Sequence, residues 1–304
     1  MRLGVWLPQR EPGFGSDLGA MREFVQAAES MGYHHLRTGE HVLGANAASR
    51  PGWPGIHDHR DLWYEVFVLF GYLAGLTRTL ELVASVLILP QRQTVLVAKQ
   101  ASAVDVLSGG RLRLGIGVGW NDVEFEALGE DFHNRGQRSE EQIQVLRALW
   151  TQELVTFEGR WHKITDTGLN PLPVQRPIPI WIGGGPGAVG SATPALSDRA
   201  LKRVAKLADG WFPSVRLGDD VGKIIDRLHG YIRQQGRDLS EVGTEGSMSI
   251  SSETPEDWIR QTSAWKEVGA THIAVDTIGA GFSSVDQHID AMRRFKEAVA
   301  DFVA

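Results

Sequence analysis

The chain has 304 residues, 42% of them hydrophobic and 22% charged, with a formal net charge of −6 and no cysteine. That balance is ordinary for a globular protein, and its acidic field attracts neither nucleic acid nor an anionic membrane surface. The absence of cysteine excludes disulfides, thiolate nucleophiles and cysteine metal sites.

Residues Met1–Pro8 are too short, and too soon polar, for a signal peptide. No apolar run approaches the roughly 18 residues of a membrane helix. A cytoplasmic location without membrane attachment is therefore expected.

In chain order, short apolar runs alternate with amphipathic stretches. Leu3–Leu7 reads as a first strand. Asp17–Met31 reads as a helix, with Leu18, Met21, Phe24, Val25 and Ala28 at helical spacing. His34–Gly39 is a second strand. After a polar loop, Leu62–Leu76 reads as a helix, and Leu80–Leu89 as a third strand whose Val, Ile and Leu content suits burial on both faces. Thr94–Leu107 is a helix ended by glycine. Leu112–Val118 is the fourth strand.

Ser139-Glu140-Glu141-Gln142 reads as a capping box opening a helix to about Thr151. Leu154–Phe157 and Trp161–Ile164 then read as a small hairpin inserted before the fifth strand, Ile178–Ile182. Helix Arg199–Ala208, strand Gly210–Pro213, a helix over about Asp219–Gln235 and a seventh strand ending at Ser247–Ser251 follow. A helix opened by Thr254-Pro255, strand His272–Asp276 and a last helix capped from Ser284 complete the chain.

Eight strands alternating with about eight helices imply a parallel sheet. The length suits a (β/α)8 barrel, which needs about 250 residues. The expected fold is one α/β TIM-barrel domain over residues 1–304, with small insertions.

In such a barrel the chemistry lies just past the strand C-termini. Gly39-Glu40-His41 follows the second strand and is the best pair for proton chemistry, because histidine titrates near neutrality and a carboxylate can orient it. Gly117-Val118-Gly119-Trp120-Asn121 follows the fourth strand, Gly183-Gly184-Gly185 the fifth, and Pro213-Ser214 the sixth. Glycine clusters permit close backbone approach and present N–H groups to an anion, although turns alone also use them.

Gly185-Pro186-Gly187-Ala188-Val189-Gly190 matches the dinucleotide fingerprint in letters. Ser191-Ala192-Thr193-Pro194 follows where that fingerprint must open a helix, so it is set aside. His57-Asp58-His59 is a poor metal chelate without a third ligand, and no metal site is expected. No nucleophile elbow, zincin motif or Walker lysine occurs. Glu124, Glu126 and Asp276 near the rim leave a glycosidase open.

Several segments resemble the bacterial luciferase-like monooxygenases, in particular their coenzyme-F420-dependent branch. They are Gly39-Glu40-His41, the run from Ala84 to Pro90, Ala98-Lys99-Gln100, the run from Leu107 to Trp120 with Ser108-Gly109-Gly110-Arg111 at its head, the run from Glu124 to Gly129, Pro179-Ile180-Trp181-Ile182-Gly183-Gly184, and Ala208-Asp209-Gly210-Trp211. The resemblance spans nearly the whole chain. It implies a TIM barrel holding a flavin-like ring in its mouth.

It further implies Glu40 and His41 as catalytic neighbours of the ring, and a non-proline cis peptide at or beside Ser85-Val86 supporting the ring's back face. Gly117, Gly119, Trp120, Asn121, Gly183, Gly184, Gly185 and Ser214 would then be cofactor contacts. Pro186–Asp198 lengthens the loop beyond the family pattern. The function implied first is hydride transfer between F420 and a small organic substrate. The alternative is monooxygenation with FMN reduced by a separate reductase. A homodimer is allowed by either.

Overall fold

The computed structural model describes every residue except Gly13, 54–56, 185–197, Arg216, 218–220, 252–253 and Ala304. Its strands in chain order are β1 (Arg2–Trp6), β2 (His35–Thr38), β3 (Glu81–Ala84), β4 (Leu87–Ile88), β5 (Leu112–Gly117), the hairpin pair β6 (Val155–Glu158) and β7 (Lys163–Thr167), β8 (Ile180–Gly184), β9 (Gly210–Pro213), β10 (Gly243–Ser249) and β11 (His272–Asp276). The main sheet runs β3-β2-β1-β11-β10-β9-β8-β5-β4, and β3 also pairs with β5, so the sheet closes on itself. Every rung of it is parallel. With β3 and β4 as two pieces of one strand, this is an eight-stranded TIM barrel.

The helices are α1 (Leu18–Ser30), α2 (Val66–Leu76), α3 (Thr94–Ser108), α4 (Asp122–Ala127), α5 (Arg135–Thr151), α6 (Asp198–Leu207), α7 (Val221–Gln234), α8 (Pro255–Glu267) and α9 (Val285–Ala298). The longer helices bury apolar side chains against the barrel wall. In α1, Met21, Phe24, Val25 and Ala28 are all buried, each large side chain contributing roughly 1.5–3 kcal/mol. Asp17 caps that helix by accepting from Gly19 and Ala20 N–H, a contact worth about 1 kcal/mol. Gly109 ends α3 at φ 74°, a left-handed conformation that glycine adopts without a Cβ clash.

Three sequence expectations are corrected. The third strand is not continuous: it breaks into β3 and β4 at Ser85-Val86, whose peptide bond is cis. Ser139-Glu140-Glu141-Gln142 does not open its helix, because α5 already starts at Arg135. Ser139 Oγ donates back to Gly136 O inside the helix, and the neighbouring side chains serve tertiary contacts. Gln142 donates to Leu89 O, Arg92 O and Thr94 Oγ1, while Glu141 accepts the N–H groups of Arg160, Trp161 and His162, pinning the β6–β7 hairpin. The helix expected from Leu62 starts only at Val66, where Glu65 caps it by accepting from Val68 N–H at 2.8 Å. Helix α4 lies in a stretch to which the sequence pattern assigns no element.

The barrel interior is charged as well as apolar. Glu245 on β10 is fully enclosed and binds His35 Nε2 at 3.1 Å, Arg37 Nη1 at 3.3 Å and Arg113 Nη1 at 2.8 Å. Burial opposes its charge, but these three cationic or hydrogen-bonding partners together hold its carboxyl well below the usual range. Arg113 also reaches Glu81 and lies 4.5 Å from the Trp181 ring centre. A buried charge cluster of this kind is tolerated only when every member is paired.

Candidate active site

Residues just past the strand C-termini enclose a cavity of ≈ 250 Å³. Leu7 follows β1, Gly39, Glu40 and His41 follow β2, Ser85 and Val86 interrupt the third barrel strand, Trp120 follows β5, and Asp276 ends β11; all of them line it. This is the face on which barrels place their chemistry. A separate depression beside α9, lined by Phe282, Gln287, Asp290, Arg293 and Arg294, opens broadly to solvent on the outside of the barrel.

One wall is an apolar shelf of Val86 and Ile88. Its shape depends on glycine. A Cβ on Gly117 would come within 2.6 Å of Val86 Cγ2, and one on Gly183 within 2.6 Å of Val86 Cγ1. These two glycines therefore make room for the Val86 side chain, a packing role that the sequence does not distinguish from a ligand-facing one. Beneath the shelf, Arg37 Nε donates to Ser85 Oγ at 2.7 Å. Its guanidinium lies over the Trp6 and Phe212 rings, 4.4 and 4.5 Å from their centres.

Another part of the lining is aromatic. The His41 ring packs against Trp63 and His57, with centres 5.2 Å from each, and against Trp120 at 5.7 Å. Trp53 packs on Trp120 at 5.5 Å. Arg10 reaches His57 Nδ1 at 3.1 Å and lies over Trp63. Burial, and then the Arg10 charge, push His57 down to about 4, so this ring is neutral at pH 7.

Glu40 and His41, adjacent in sequence, do not act on one another. The Glu40 carboxylate accepts from Arg92 Nη2 at 2.8 and 2.9 Å and from Val66 N–H at 3.1 Å. Burial raises its pKa, with the Arg92 charge opposing that rise. His41 Nδ1 instead faces Glu124, 3.2 Å from Oε1 and 3.3 Å from Oε2. Glu124 also accepts from Val42 N–H, Leu43 N–H and Gln91 Nε2. Burial works against its charge, yet the bond from His41 and the remaining donors bring its pKa below the usual value.

An ionised Glu124 requires a proton on His41 Nδ1, which leaves Nε2 as the nitrogen that can exchange a proton. Glu124 is placed by α4, whose N-cap is Asn121, accepting from Val123 N–H at 3.2 Å. Asn121 thus supports the site through the helix and does not line the cavity. Gly119, Gly184 and Ser214 do not line it either, and Ser214 is exposed. Gly185 and nearly all of the 186–198 loop lie outside the described residues.

Asp276 reads from the sequence only as one of three rim carboxylates, with Glu124 and Glu126, and not as a contact of the ring. It lines the cavity, and burial pushes it up to about 6 against the lowering effects of Ile278 N–H and of Arg10 and Arg37. The signal for it was only its place at the end of the last strand.

The family model for luciferase-like monooxygenases matches residues 1–271. The chain belongs to that family. An uncharacterised protein of Mycobacterium tuberculosis is 35% identical over 173 residues, covering 57% of this chain and 56% of its own length. An FMNH2-dependent dimethylsulfone monooxygenase of Pseudomonas putida is 29% identical over 199 residues, 64% of this chain and 48% of that protein. The chain thus spans about half the length of these relatives. Among solved structures, a coenzyme-F420-dependent tetrahydromethanopterin reductase from Methanopyrus kandleri superposes with a TM-score of 0.74 over 99% of both chains at 13% identity. At that identity the likeness is one of fold.

Proposed function

We propose that this family member is an oxidoreductase holding the ring of a deazaflavin, coenzyme F420, against the Val86–Ile88 shelf. Hydride transfer between the deazaflavin C5 and a small organic substrate is the reaction. The observation that carries this reading is one small cavity joining an apolar shelf to proton-carrying side chains. A flat heteroaromatic ring asks for such a combination, with apolar contact on its face and polar groups at its edge. At ≈ 250 Å³ the cavity is below the roughly 300–1,000 Å³ of typical ligand pockets, so it suits the ring end and not a whole cofactor. Gly183 and Gly184 at the end of β8, with Gly119 and Ser214, would border the path of the cofactor's tail.

The bound cofactor supplies the hydride chemistry; the protein supplies placement, proton exchange and exclusion of water. His41, fixed through Nδ1 by Glu124, exchanges a proton through Nε2. Glu40 holds Arg92 and the start of α2, and so fixes the loop that carries His41. Trp53, Trp63 and Trp120 keep the His41 side of the cavity apolar, which strengthens the electrostatic contacts within it.

A second reading has its own support. The relative named as an FMNH2-dependent monooxygenase is 29% identical to this chain, and the same shelf would take an isoalloxazine ring. In that case a separate reductase supplies FMNH2, and oxygen is a co-substrate. Isothermal titration with F420 and with FMN, each oxidised and reduced, separates the two. Micromolar or tighter F420 binding is expected, and FMN bound tenfold more tightly, a difference of about 1.4 kcal/mol, would reverse the ranking. A cytoplasmic location and a homodimer accompany either reading.

A further inference from the structure

We propose that Asp276 is a second proton-transfer residue of this site, exchanging a proton with the oxygen on the substrate's reacting carbon from the wall formed by β11. The inference rests on the oxidoreductase reading above. It starts from position: Asp276 ends β11, which pairs in parallel with β1, and β1 pairs with β2, whose end leads to His41. The two groups therefore approach one cavity from either side of β1.

The next argument is which carboxylates remain available. Glu40 and Asp276 are, among the described residues, the two carboxylates lining the cavity. Glu40 is taken up by Arg92 and by Val66 N–H. Glu124, behind His41, accepts from four separate groups. The Asp276 carboxylate accepts, among the described residues, one hydrogen bond, from Ile278 N–H to Oδ1 at 2.8 Å, and takes part in no ion pair. That bond fixes the carboxyl plane and leaves Oδ2 for a substrate.

The charged groups around it are otherwise engaged. From the loop after β1, Arg10 contacts His57 and Asp61, while Glu11 accepts from Gly279 N–H. Arg37 on β2 is held by Ser85, Glu245 and Ser247. On the α9 side, His288 bonds the neighbouring Thr277. His41 and His57 line the same cavity. Burial raises Asp276 to about 6 in spite of Arg10 and Arg37, so the carboxyl can both take and return a proton near neutrality.

The step balances for a substrate carbon bearing a hydroxyl. The C–H bond breaks and its electron pair leaves as hydride to the deazaflavin-class acceptor. The O–H bond breaks, its electron pair forms the C=O bond, and the proton passes to Oδ2. Reduction runs the same transfers backwards. The reactive substrate class is thus an alcohol or its carbonyl.

The test uses Asp276→Asn and Asp276→Glu. In cofactor-free protein, difference infrared spectra of the carboxyl stretch should show a group titrating near 6 in the wild type and in Asp276→Glu, but not in Asp276→Asn. In the oxidation direction, kcat of the wild type should rise with pH through that value; Asp276→Asn should lose this limb and roughly 10²-fold in kcat, and Asp276→Glu should retain a limb. Cofactor affinity should stay within roughly twofold, since less than about 0.4 kcal/mol is at stake. Absence of the titrating carboxyl, or a pH limb that survives in Asp276→Asn with cofactor binding intact, overturns the inference and leaves the oxidoreductase reading standing. Failure of the wild type to bind either F420 or FMN overturns that reading instead, and the inference with it.

Discussion

His41 Nδ1 lies 3.2 Å from Glu124 Oε1, a residue 83 positions further along the chain, while the carboxylate next to it in sequence, Glu40, reaches away to Arg92. The His41–Glu124 pair past β2 is therefore built between the end of β2 and α4, and the two adjacent residues have different partners.

This division of labour separates three substitutions. His41→Ala should lower kcat by roughly 10²-fold, the usual scale of a positioned proton carrier, with cofactor affinity much less affected. Glu124→Gln should lower kcat in the same direction, because the ring loses the carboxylate that fixes its tautomer. Glu40→Gln should act mainly on stability: it weakens charge-assisted bonds to Arg92, each worth about 1.5–3 kcal/mol, and a urea titration should show the loss. Steady-state kinetics at saturating cofactor, run beside the urea midpoints, check the set. Normal turnover in His41→Ala with lost turnover in Glu40→Gln would exchange the two roles.

The Glu245 cluster governs behaviour in acid. Its carboxyl is held well below the ordinary glutamate value by His35, Arg37 and Arg113. A depressed folded-state pKa contributes stability that is present above the unfolded value, about 4.3, and is lost as pH falls through the folded one. Thermal midpoints should therefore drop steeply below about pH 4.3 in the wild type. Glu245→Gln should be destabilised by roughly 3–5 kcal/mol near neutrality, because it strands buried cations, and should show a flatter acid limb. Parallel acid limbs in the two proteins would remove Glu245 as the cause.

The shelf can be probed by a double-mutant cycle. Gly183→Ala places a methyl within 2.6 Å of Val86 Cγ1 and should cost roughly 1–3 kcal/mol by overpacking. Val86→Ala removes the atom it meets. The double variant should recover most of the Gly183→Ala loss, so the coupling should be in the range of about 0.5–3 kcal/mol expected of residues in contact. Additive denaturation energies would show that the glycine is not there to seat Val86.

Much of this protein is determined locally and can be read from the sequence. Met21, Phe24, Val25 and Ala28 sit at helical spacing and become the buried stripe of α1. The regular alternation of such stripes with short apolar runs dictates a parallel sheet covered by helices, and the motif resemblance points to the barrel and to the cis bond at Ser85-Val86. Strand ends are legible too, so the sequence puts Glu40, His41 and Trp120 on the rim that the cavity occupies.

What the side chains at that rim do is decided only by tertiary structure, because partners there come from distant elements. Glu40 faces Arg92 and not its neighbour. Glu124 meets His41 only once α4, invisible in the hydrophobic pattern because it is six residues long, is folded beneath the loop. That Gly117 and Gly183 seat Val86 shows only once closure of the barrel brings Val86 against both. Asp276 is one acid among 37 acidic residues in the sequence; enclosure by the barrel mouth is what raises its pKa, against the lowering effect of the hydrogen bond from Ile278 N–H. Hydrophobic period is a property of neighbouring residues, whereas charge pairing and desolvation depend on which atoms the closed barrel brings together.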